Sequence, residues 1–579
     1  MSNRPFRFCA FRLLFAVSLV MRTASFAADV PTYPILIGAD CRGTFFQKQK
    51  RDFWKEDAWY RSLDEFGIRY VDVHLYGIER FKTDRAAGCA GMILDIDHNM
   101  RRHGKVYTLN VELSNFRQSV EITPGVNEFE QPDGSHRWDL RMEWLRPLLP
   151  PAQTNRALLG ISYDECEHML LANNMTAGPD SGFDAPWLAN TQGMGLETAY
   201  DRLVAAAADL RTRHYEGNVS LRTEQVWPDL FHLFARAGWT ITPKALKENF
   251  TPVVLSIAMG AALQYSDRTR FQVSPDLWGR TKYPGHSAQS LRSALLMAYW
   301  VGAETVYVEG FDYNPSKPGM RHHPDAVACE SLVRWIDDTH YEPTAYGRVF
   351  KDFVEYTSVN PRPITWRDYR PRVAIVRLPD GAWGQYVYGA NEQRPWRNRL
   401  LGSRGCPVDA PAREWLQVWP VLTHGAVRPG AISYNNDKVY PEGIGEFFVP
   451  LDSVAVFDHT VTGPVLDPVE CFVVCGHALS PETFAALRAR AAKGATVLIA
   501  GRLYDRYAVR DKFPPGDWLV VDDFASPAVA AKLQPFLGSP DVARFRFARH
   551  TVEFKRDGTP DRIEVKVTPS LGAKASVTD

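Results

Sequence analysis

The sequence predicts an α/β protein whose larger part is a (β/α)8 TIM barrel, followed by a smaller α/β domain and a short C-terminal β segment. Between Pro34 and about Asn314, short apolar runs alternate with helical stretches about eight times. Such alternation is typical of parallel strands joined by crossover helices, and roughly 280 residues is the usual size of one barrel. A doubly wound open sheet is the competing fold, and the number of runs favours the barrel.

The runs predicted as barrel strands are short, apolar and rich in β-branched residues, although the sixth and seventh are weaker than the others. Helices are predicted between them at 57–66, 196–213, 228–237 and 287–301, the first ending at Gly67, a residue suited to a helix C-terminus. The predicted strands cover residues 35–40, 68–76, 106–114, 158–165, 219–225, 239–242, 271–277 and 305–309.

A smaller α/β unit, of the flavodoxin-like kind, is predicted after about residue 360. Its strands are expected at 371–378, 453–458, 471–475 and 496–500, with a helix at 481–493. Beyond Asp541, runs at 543–548 and 562–567 have the character of strands. The predicted division is a signal peptide at 1–27, the barrel at 28–367, the α/β domain at 368–540 and the β segment at 541–579.

The first 28 residues have the order of a secretory signal peptide. Arg4, Arg7 and Arg12 precede an apolar run at 13–21, and small residues surround Ala27, where a signal peptidase would cut. A membrane anchor is the alternative, but the run is shorter than the roughly 20 residues that span a bilayer. We therefore expect an exported protein, periplasmic or extracellular, that is cleaved near Ala27 and has no membrane span.

Composition narrows the choice of partners. Lys+Arg and Asp+Glu both number 67, so no net charge attracts nucleic acid. The 16 Trp and 23 Tyr suit carbohydrate binding, and equally a large core.

Esterase, phosphate-binding and dinucleotide-binding motifs are absent from the sequence, and the cysteines lack zinc-binding spacing. The spacing of Glu165 and His168 would suit a metal only on a helix, so we expect neither cofactor nor metal.

The candidate site lies at the C-terminal ends of the barrel strands, where barrel enzymes carry out their chemistry. Nearly every predicted strand ends there in a carboxylate. Glycoside hydrolysis needs two carboxyl groups, one to protonate the leaving oxygen and one to act as base or nucleophile. Any single carboxylate could instead be a salt-bridge partner. The candidates are Asp40, His74, Glu112, Trp227, Asp276 and Trp278 for substrate binding, and Asp164, Glu165, Glu224 and Glu309 for catalysis.

Glu165 is the preferred general acid, because its run turns polar where it enters the pocket and Asp164 and Glu167 supply negative charge that raises a carboxyl pKa. Successive strand residues point to opposite sides, so Asp164 and Glu165 both reach the pocket only if the strand has already ended. Asp164 and Glu224 are the alternatives for this role.

Glu309 stands at the tip of the eighth run. A carboxylate buried there without a partner would cost several kcal/mol, so Glu309 is expected to face the pocket or to pair with a cation such as Arg321.

Two runs carry a resemblance to known glycosidases. The run 287–309 resembles the last helix and strand of clan A glycosidase barrels. The run 471–501 is similar to the glutamine-amidotransferase-like domain that follows the barrel in beta-galactosidases of glycoside hydrolase family 42 and their relatives. In architecture the resemblance covers most of the chain and implies an enzyme that hydrolyses O-glycosidic bonds. It also implies that the second domain is non-catalytic and helps to build oligomers. Cys475 ends a predicted strand there, as an amidotransferase nucleophile would, but residues 476–481 do not form a tight strand-to-helix turn, so we expect Cys475 to be structural.

The chain departs from the clan pattern at the site. The clan places an Asn-Glu pair after the fourth strand, where Asp164 and Glu165 stand here, and a Glu after the seventh, where Asp276 is the nearest carboxylate. An adjacent Asp-Glu pair also resembles the substrate-assisted hexosaminidases, in which the acetamido group of the sugar is the nucleophile. The sugar, the linkage and the stereochemical course therefore stay open.

Two functions fit these observations. The first is an exported glycoside hydrolase that acts on an oligo- or polysaccharide with a pair of carboxylates. The second is a non-catalytic carbohydrate-binding or scaffold protein on a degenerate barrel, since a fold does not carry its function with it. A hydrolase needs two carboxyl groups across one pocket, roughly 5 to 9.5 Å apart, whereas a binder needs only aromatic platforms and hydrogen-bond donors.

Overall fold

The computed structural model describes residues 32–75, 78, 86–112, 128–149, 156–171, 187–191, 193–246, 249–277, 286–312, 331–381, 409–433, 439–441, 447–507, 516–559 and 562–570. The predicted signal peptide, Trp278 and Arg321 lie outside these residues, as does the side chain of His168. Within the described part of the chain, no helix is both long and apolar enough to cross a membrane.

Eight parallel strands close into a barrel, which confirms the predicted fold class. Strands that follow each other in the chain are neighbours, and the last pairs with the first, in the order β1-β8-β7-β6-β5-β4-β3-β2. The strands are β1 (Leu36–Cys41), β2 (Tyr70–His74), β3 (Val106–Glu112), β4 (Leu158–Asp164), β5 (Ser220–Gln225), β6 (Thr240–Ala245), β7 (Gln272–Pro275) and β8 (Thr305–Val308).

The interior of this barrel is polar, although bulky branched residues fill most barrels of this type. The hydroxyl of Tyr70 on β2 accepts a hydrogen bond from Arg222 on β5 at 3.0 Å, and the hydroxyl of Tyr307 on β8 donates to Glu224 on β5 at 2.8 Å. Such contacts between strands that are not neighbours place these side chains inside. In most strands the alternate residues, such as Val71 and Val73 on β2, are apolar and belong to the hydrophobic core outside the barrel interior.

Helices surround the barrel, and side-chain oxygens cap two of them. Ser287 accepts a hydrogen bond from the Ser290 N–H at 3.0 Å, and Thr344 accepts one from the Gly347 N–H at 3.1 Å. The α-helices of this part are Thr44–Lys48, Asp57–Glu65, Ala86–Arg102, Met142–Leu145, Cys166–Leu171, Leu196–Asp209, Phe231–Arg236, Thr251–Gln264, Ala288–Trp300 and Ala345–Val359.

The second unit contains a parallel five-stranded sheet of β9 (Val373–Arg377), β10 (Val454–Asp458), β11 (Cys471–Val474), β12 (Thr496–Ala500) and β13 (Asp517–Val521). Their order, β10-β9-β11-β12-β13, is that of the flavodoxin-like doubly wound sheets. Its helices are Ala410–Leu422, Pro481–Ala491, Gly501–Tyr507 and Pro527–Leu533. The closer likeness to an amidotransferase domain stays a prediction, as do the domain boundaries.

The remaining strands form a four-stranded sheet and two hairpins. The sheet joins the C-terminal strands to Leu451–Asp452, a strand from within the second unit, so the two parts share one sheet. Its other strands are Val542–Arg546, His550–Arg556 and Ile563–Pro569, and the hairpins pair Glu128–Glu130 with His136–Trp138 and Val333–Trp335 with Tyr341–Pro343.

The barrel and the second unit are joined by a buried polar contact. Asp458, at the end of β10, accepts a hydrogen bond from the Gln264 side chain at 2.7 Å. The Nε2 atom of His232 lies 2.8 Å from the carbonyl oxygen of Val456, to which it donates, and burial lowers the pKa of His232 to about 4, so its ring is neutral. Barrel helices therefore dock on the second sheet through specific hydrogen bonds.

Candidate active site

Lys244, on β6, lies at the C-terminal end of the barrel and draws together carboxyl groups from four strands. Its side chain is fully buried. A buried ammonium group without a partner would destabilise the fold, and here five carboxyl groups lie close enough to balance its charge. Its Nζ atom lies 2.7 Å from Glu309, 2.9 Å from Asp164, 3.6 Å from Glu165, 3.8 Å from Asp276 and 3.9 Å from Glu224.

Two of these carboxyl groups differ from the other three in their contact with solvent. Glu165 is 9% exposed and Glu309 is 6% exposed, whereas Asp164, Glu224 and Asp276 are each 1% exposed. Since one oxygen of Glu165 and one of Glu309 lie within 4 Å of the same nitrogen, these two oxygens are no more than about 6 Å apart. Glu165 and Glu309 therefore form the solvent-facing edge of the cluster.

The backbone at Glu165 explains how two consecutive carboxylates enter one site. β4 ends at Asp164, and Glu165 has φ 50°, a left-handed conformation that is uncommon away from glycine. The Glu165 N–H donates to the carbonyl oxygen of Glu224 at 2.7 Å, which fixes this turn. β4 has therefore ended before Glu165, which is the condition for Asp164 and Glu165 to enter the same site. Both side chains contact Lys244.

A second cluster, centred on His74, adjoins the first. The Nδ1 atom of His74 lies 3.0 Å from Asp40, and its Nε2 atom lies 2.8 Å from Glu112. Arg42 approaches both His74, at 3.3 Å, and Glu112, at 3.4 Å. One ligand atom each of His74, Glu112 and Asp164 lie within 4.8 Å of one another, so Asp164 belongs to both clusters.

The electrostatics of the two clusters are set by burial and by the balance of charges. Burial raises the pKa of Asp164 and of Glu224 well above the usual range, although Lys244 lowers both. Burial alone would lower the pKa of Lys244, but Asp164, Glu309 and Glu224 raise it well above its usual value. The cluster therefore favours a charged ammonium group, while burial favours the neutral form of its deepest carboxyl groups.

The pKa of His74 is likewise set by burial and by the neighbouring charged side chains. Burial and Arg42 would lower it, but Asp40 and Glu112 outweigh them and raise the pKa of His74 to about 9.

Beneath the clusters lies a layer of hydrogen-bonded polar side chains. Asp72 accepts a hydrogen bond from Asn110 Nδ2 at 2.8 Å and another from Thr108. Burial, followed by the charge of Asp40, raises the pKa of Asp72 to about 6. This layer supports the residues above it on the same strands.

Most of the predicted site residues meet in these two clusters. Asp40, His74 and Glu112 form one, while Asp164, Glu165, Glu224, Asp276 and Glu309 surround Lys244. Trp227 follows β5, and its ring is buried rather than presented to solvent; its backbone N–H donates to Glu167 at 3.1 Å. Its role in substrate binding, like that of Trp278, stays a prediction.

Sequence reasoning left four neighbouring residues out of the site. Lys244 follows the sixth predicted run, but a lysine was not chosen as a candidate for carboxylate chemistry; β6 extends to Ala245 and carries Lys244 into the cluster. Asn110 and Tyr307 lie within their strands and Arg42 lies beyond the end of β1, so none of the three is among the carboxylates and aromatic residues at the predicted strand ends. The signal that could have found Asn110 and Tyr307 is the alternation of polar and apolar residues within each strand.

Cys475 lies at the end of β11 in the second unit and is fully buried. Burial and the nearby carboxylate of Glu414 raise the pKa of its thiol. Glu414 accepts a hydrogen bond from the Gly476 N–H at 2.9 Å, which fixes the turn after the strand. A buried neutral thiol is a poor nucleophile, and this supports a structural role for Cys475.

Comparison with known proteins shows the fold. No family model matches the chain, and no curated protein matches it. Solved structures of beta-galactosidases from Halorubrum lacusprofundi, Marinomonas ef1 and Rahnella sp. R3 are similar to it, with TM-scores of 0.52, 0.51 and 0.51 and identities of 13%, 12% and 9%. They cover 93%, 90% and 90% of this chain, and 99%, 95% and 94% of their own. At this identity the likeness establishes a shared fold over most of the chain.

Proposed function

We propose that the protein is a glycoside hydrolase that cleaves O-glycosidic bonds with Glu165 and Glu309 as its catalytic pair. The observation that carries the proposal is the position of these two residues. They are the solvent-facing members of the carboxylate cluster, and their oxygens lie close enough to act on one bond. The shared fold with three beta-galactosidases supports the same activity class and makes β-galactosides the first substrates to test.

In this proposal Glu165 protonates the leaving oxygen, because it follows β4 at the rim of the site. Glu309 acts as the nucleophile or base. The ammonium group of Lys244, at 2.7 Å, stabilises the negative charge that this role needs. Asp164, Glu224 and Asp276 lie deeper, where they hold Lys244 in place. A role of Asp40, His74 and Glu112 in binding sugar hydroxyl groups stays a prediction, since all three side chains are buried.

Export and assembly belong to the same proposal. The signal-like N-terminus supports a periplasmic or extracellular location, where a polysaccharide substrate would be met. Mass spectrometry of protein recovered from outside the cytoplasm is expected to find a mature start near Ala28, and an intact Met1 would contradict this. The second α/β unit is proposed to mediate self-association rather than catalysis, so Cys475→Ser is expected to leave turnover unchanged.

The test is a screen of the purified protein against aryl glycosides and polysaccharides, with Glu165→Gln and Glu309→Gln assayed beside the wild type. Glu355→Gln is the matched control, because Glu355 is an exposed glutamate on the barrel helix Ala345–Val359. Hydrolysis by the wild type and the control, with a loss of at least about 100-fold in both site variants, is the expected result. Full activity in either site variant would exclude that residue from the pair.

One observation favours the second candidate, a non-catalytic carbohydrate-binding protein on a degenerate barrel. Lys244 already neutralises Glu309 and Asp164 at hydrogen-bonding distance. If these ion pairs persist when a sugar binds, the two carboxylates take no part in cleavage, and the site binds sugars without hydrolysing them. Sugar binding measured by calorimetry, with no turnover on any substrate of the screen, would support this candidate over the hydrolase.

A further inference from the structure

We propose that His74, Glu112 and Asp164 form a binding site for one divalent cation, with the side-chain oxygens of Asn110 and Ser162 as further ligands. The three principal ligands come from the adjacent strands β2, β3 and β4. One ligand atom from each lies within 4.8 Å of the other two, and all three side chains are buried. A cation at their centre needs only small movements of these atoms, because metal–ligand bonds to nitrogen and oxygen are about 2.0–2.2 Å long.

The orientation of His74 is the first support. Its Nδ1 atom lies 3.0 Å from a carboxylate oxygen of Asp40, to which it donates once Arg42, whose Nε lies 3.3 Å from the same nitrogen, turns away. Its Nε2 atom is directed at Glu112, 2.8 Å away. A metal-binding histidine usually donates its other ring N–H to a carboxylate in this way, which fixes the tautomer and makes the ligating nitrogen more basic. Asp40 therefore supplies the outer partner that such a histidine requires.

Two buried oxygens are the second and independent support. Within the described part of the chain, Asn110 Oδ1 and Ser162 Oγ are buried and have no hydrogen-bond partner. Asn110 Nδ2 donates to Asp72 at 2.8 Å, so the oxygen of this amide points away from Asp72. Buried polar atoms are normally satisfied, and a bound ion is one way to satisfy them.

The register of the strands places both oxygens beside the cluster. Asn110 on β3 is paired with His74 on β2 and with Ser162 on β4. One level nearer the strand ends, Glu112 is paired with Asp164. The five proposed ligands therefore form one continuous inward-facing patch.

The charge at this end of the barrel is the third support. Among the described residues, carboxyl groups outnumber cationic side chains even when His74 is counted as charged, and burial accordingly raises the pKa of Asp164 and Glu224 and favours their neutral forms. A divalent cation would supply two positive charges where the excess is greatest. The carboxylates are Asp40, Asp72, Glu112, Asp164, Glu165, Glu224, Asp276 and Glu309, and the cationic groups are Arg42, His74, Arg222 and Lys244.

Arg42 is the competitor of a cation for this place. It contacts Glu112 at 3.4 Å and His74 at 3.3 Å, both at the long end of hydrogen-bonding distance. Its side chain is 25% exposed, so it can turn towards solvent when a cation binds. Removing Arg42 is therefore expected to strengthen metal binding.

The ligand set selects the class of ion. An imidazole nitrogen combined with carboxylate and amide or hydroxyl oxygens suits Zn²⁺ or Mn²⁺, whereas Ca²⁺ and Mg²⁺ prefer oxygen alone. The proposal does not depend on the hydrolytic function, since metal binding is measured without a substrate.

The experiment measures metal content and metal affinity of the full-length protein. After dialysis against EDTA, the protein is incubated with Zn²⁺ or Mn²⁺ and desalted, and the bound ion is counted by mass spectrometry. His74→Gln and Glu112→Gln are compared with Asp276→Asn, a carboxylate variant at the same end of the barrel that lies outside the proposed ligands. Circular dichroism confirms that each variant is folded.

The expected result is about one ion per wild-type chain, retained in Asp276→Asn, with affinity at least about 10-fold weaker in both ligand variants. With Mn²⁺, the nitrogen coupling seen by pulsed electron paramagnetic resonance should be present in the wild type and lost in His74→Gln. A wild type that retains neither ion after desalting would overturn the proposal. Equal binding by the wild type and both ligand variants would also overturn it, because the ion would then lie elsewhere.

Discussion

The ammonium nitrogen of Lys244 lies 2.7 Å from Glu309 Oε2, and both side chains are almost completely buried. These residues come from β6 and from the end of β8, which are not neighbours in the barrel. Their contact therefore links two strands that are not hydrogen-bonded to each other, at the C-terminal end of the barrel. Removing one partner of a buried ion pair leaves the other uncompensated, which is far more costly than losing a pair at the surface.

Lys244→Met is accordingly expected to lower the free energy of unfolding by about 3–5 kcal/mol, as measured by chemical denaturation. Lys351→Met is the control, because Lys351 pairs with Glu65 at 3.0 Å on the surface of the barrel. The control should cost less than about 1 kcal/mol. Equal effects of the two substitutions would mean that the Lys244 cluster contributes no more to stability than a surface pair does.

A pH dependence is expected from Asp312. It accepts hydrogen bonds from the N–H groups of Gly43 at 3.0 Å and Arg42 at 3.2 Å and from the Trp59 ring at 3.0 Å, but burial raises its pKa to about 6. The folded state thus holds the proton more tightly than the unfolded state. Stability contributed by the protonated form is lost as the pH rises from about 4 through 6, by roughly 3 kcal/mol in total.

Asp312→Asn removes this titration. The difference in unfolding free energy between the wild type and the variant should therefore change by about 2 kcal/mol between pH 4 and pH 7, in the direction of a relatively less stable wild type at pH 7. Denaturation curves recorded across this range provide the measurement. A difference that stays constant with pH would show that the folded carboxyl group titrates normally.

The contact between the barrel and the second sheet gives a third prediction. A Cβ atom at Gly260, in the helix Thr251–Gln264, would overlap the carbonyl oxygen of Val456 on β10. Gly260→Ala should therefore destabilise the protein by about 1–3 kcal/mol.

Gly88→Ala is the matched control for this substitution. Gly88 lies in the helix Ala86–Arg102, and no atom of the described residues lies near the position of a new Cβ, so the change should be neutral or stabilising by up to about 1 kcal/mol. Thermal denaturation distinguishes the two. If both substitutions change stability equally, a Cβ atom at position 260 does not overlap the Val456 carbonyl oxygen, and the helix and the sheet do not approach each other so closely.

The barrel could be predicted from the sequence because its strands are short and apolar and its helices are mostly amphipathic. The weakly predicted sixth and seventh runs also correspond to strands of the barrel, β6 and β7. Elements whose pattern differs were missed. The helix Thr251–Gln264 is buried on almost every side, between barrel and second sheet, so it lacks the polar face that marks a surface helix. The strand β13, at the edge of the second sheet, was also not predicted, although four of its five residues are apolar and only its last residue is buried.

The candidate site was predictable only in part. Strand ends in a barrel converge, so carboxylates such as Glu165 and Glu309 could be grouped without a structure. How deeply each carboxylate is buried in the site could not be predicted, because that depends on the turn at Glu165 and on the position of Lys244. The proximity of His74 to Asp164 was equally hidden, since it results from the register of three strands.

The role of Glu165 is the centre of the account, and a comparison of leaving groups tests it most directly. A general acid matters for poor leaving groups, which need a proton, and much less for activated aryl glycosides, which do not. Steady-state kinetics of Glu165→Gln should show a loss of about 10²- to 10⁴-fold on alkyl or oligosaccharide substrates and a far smaller loss on nitrophenyl glycosides. An equal loss on both substrate types would contradict the acid role, and no loss on either would remove Glu165 from the active site.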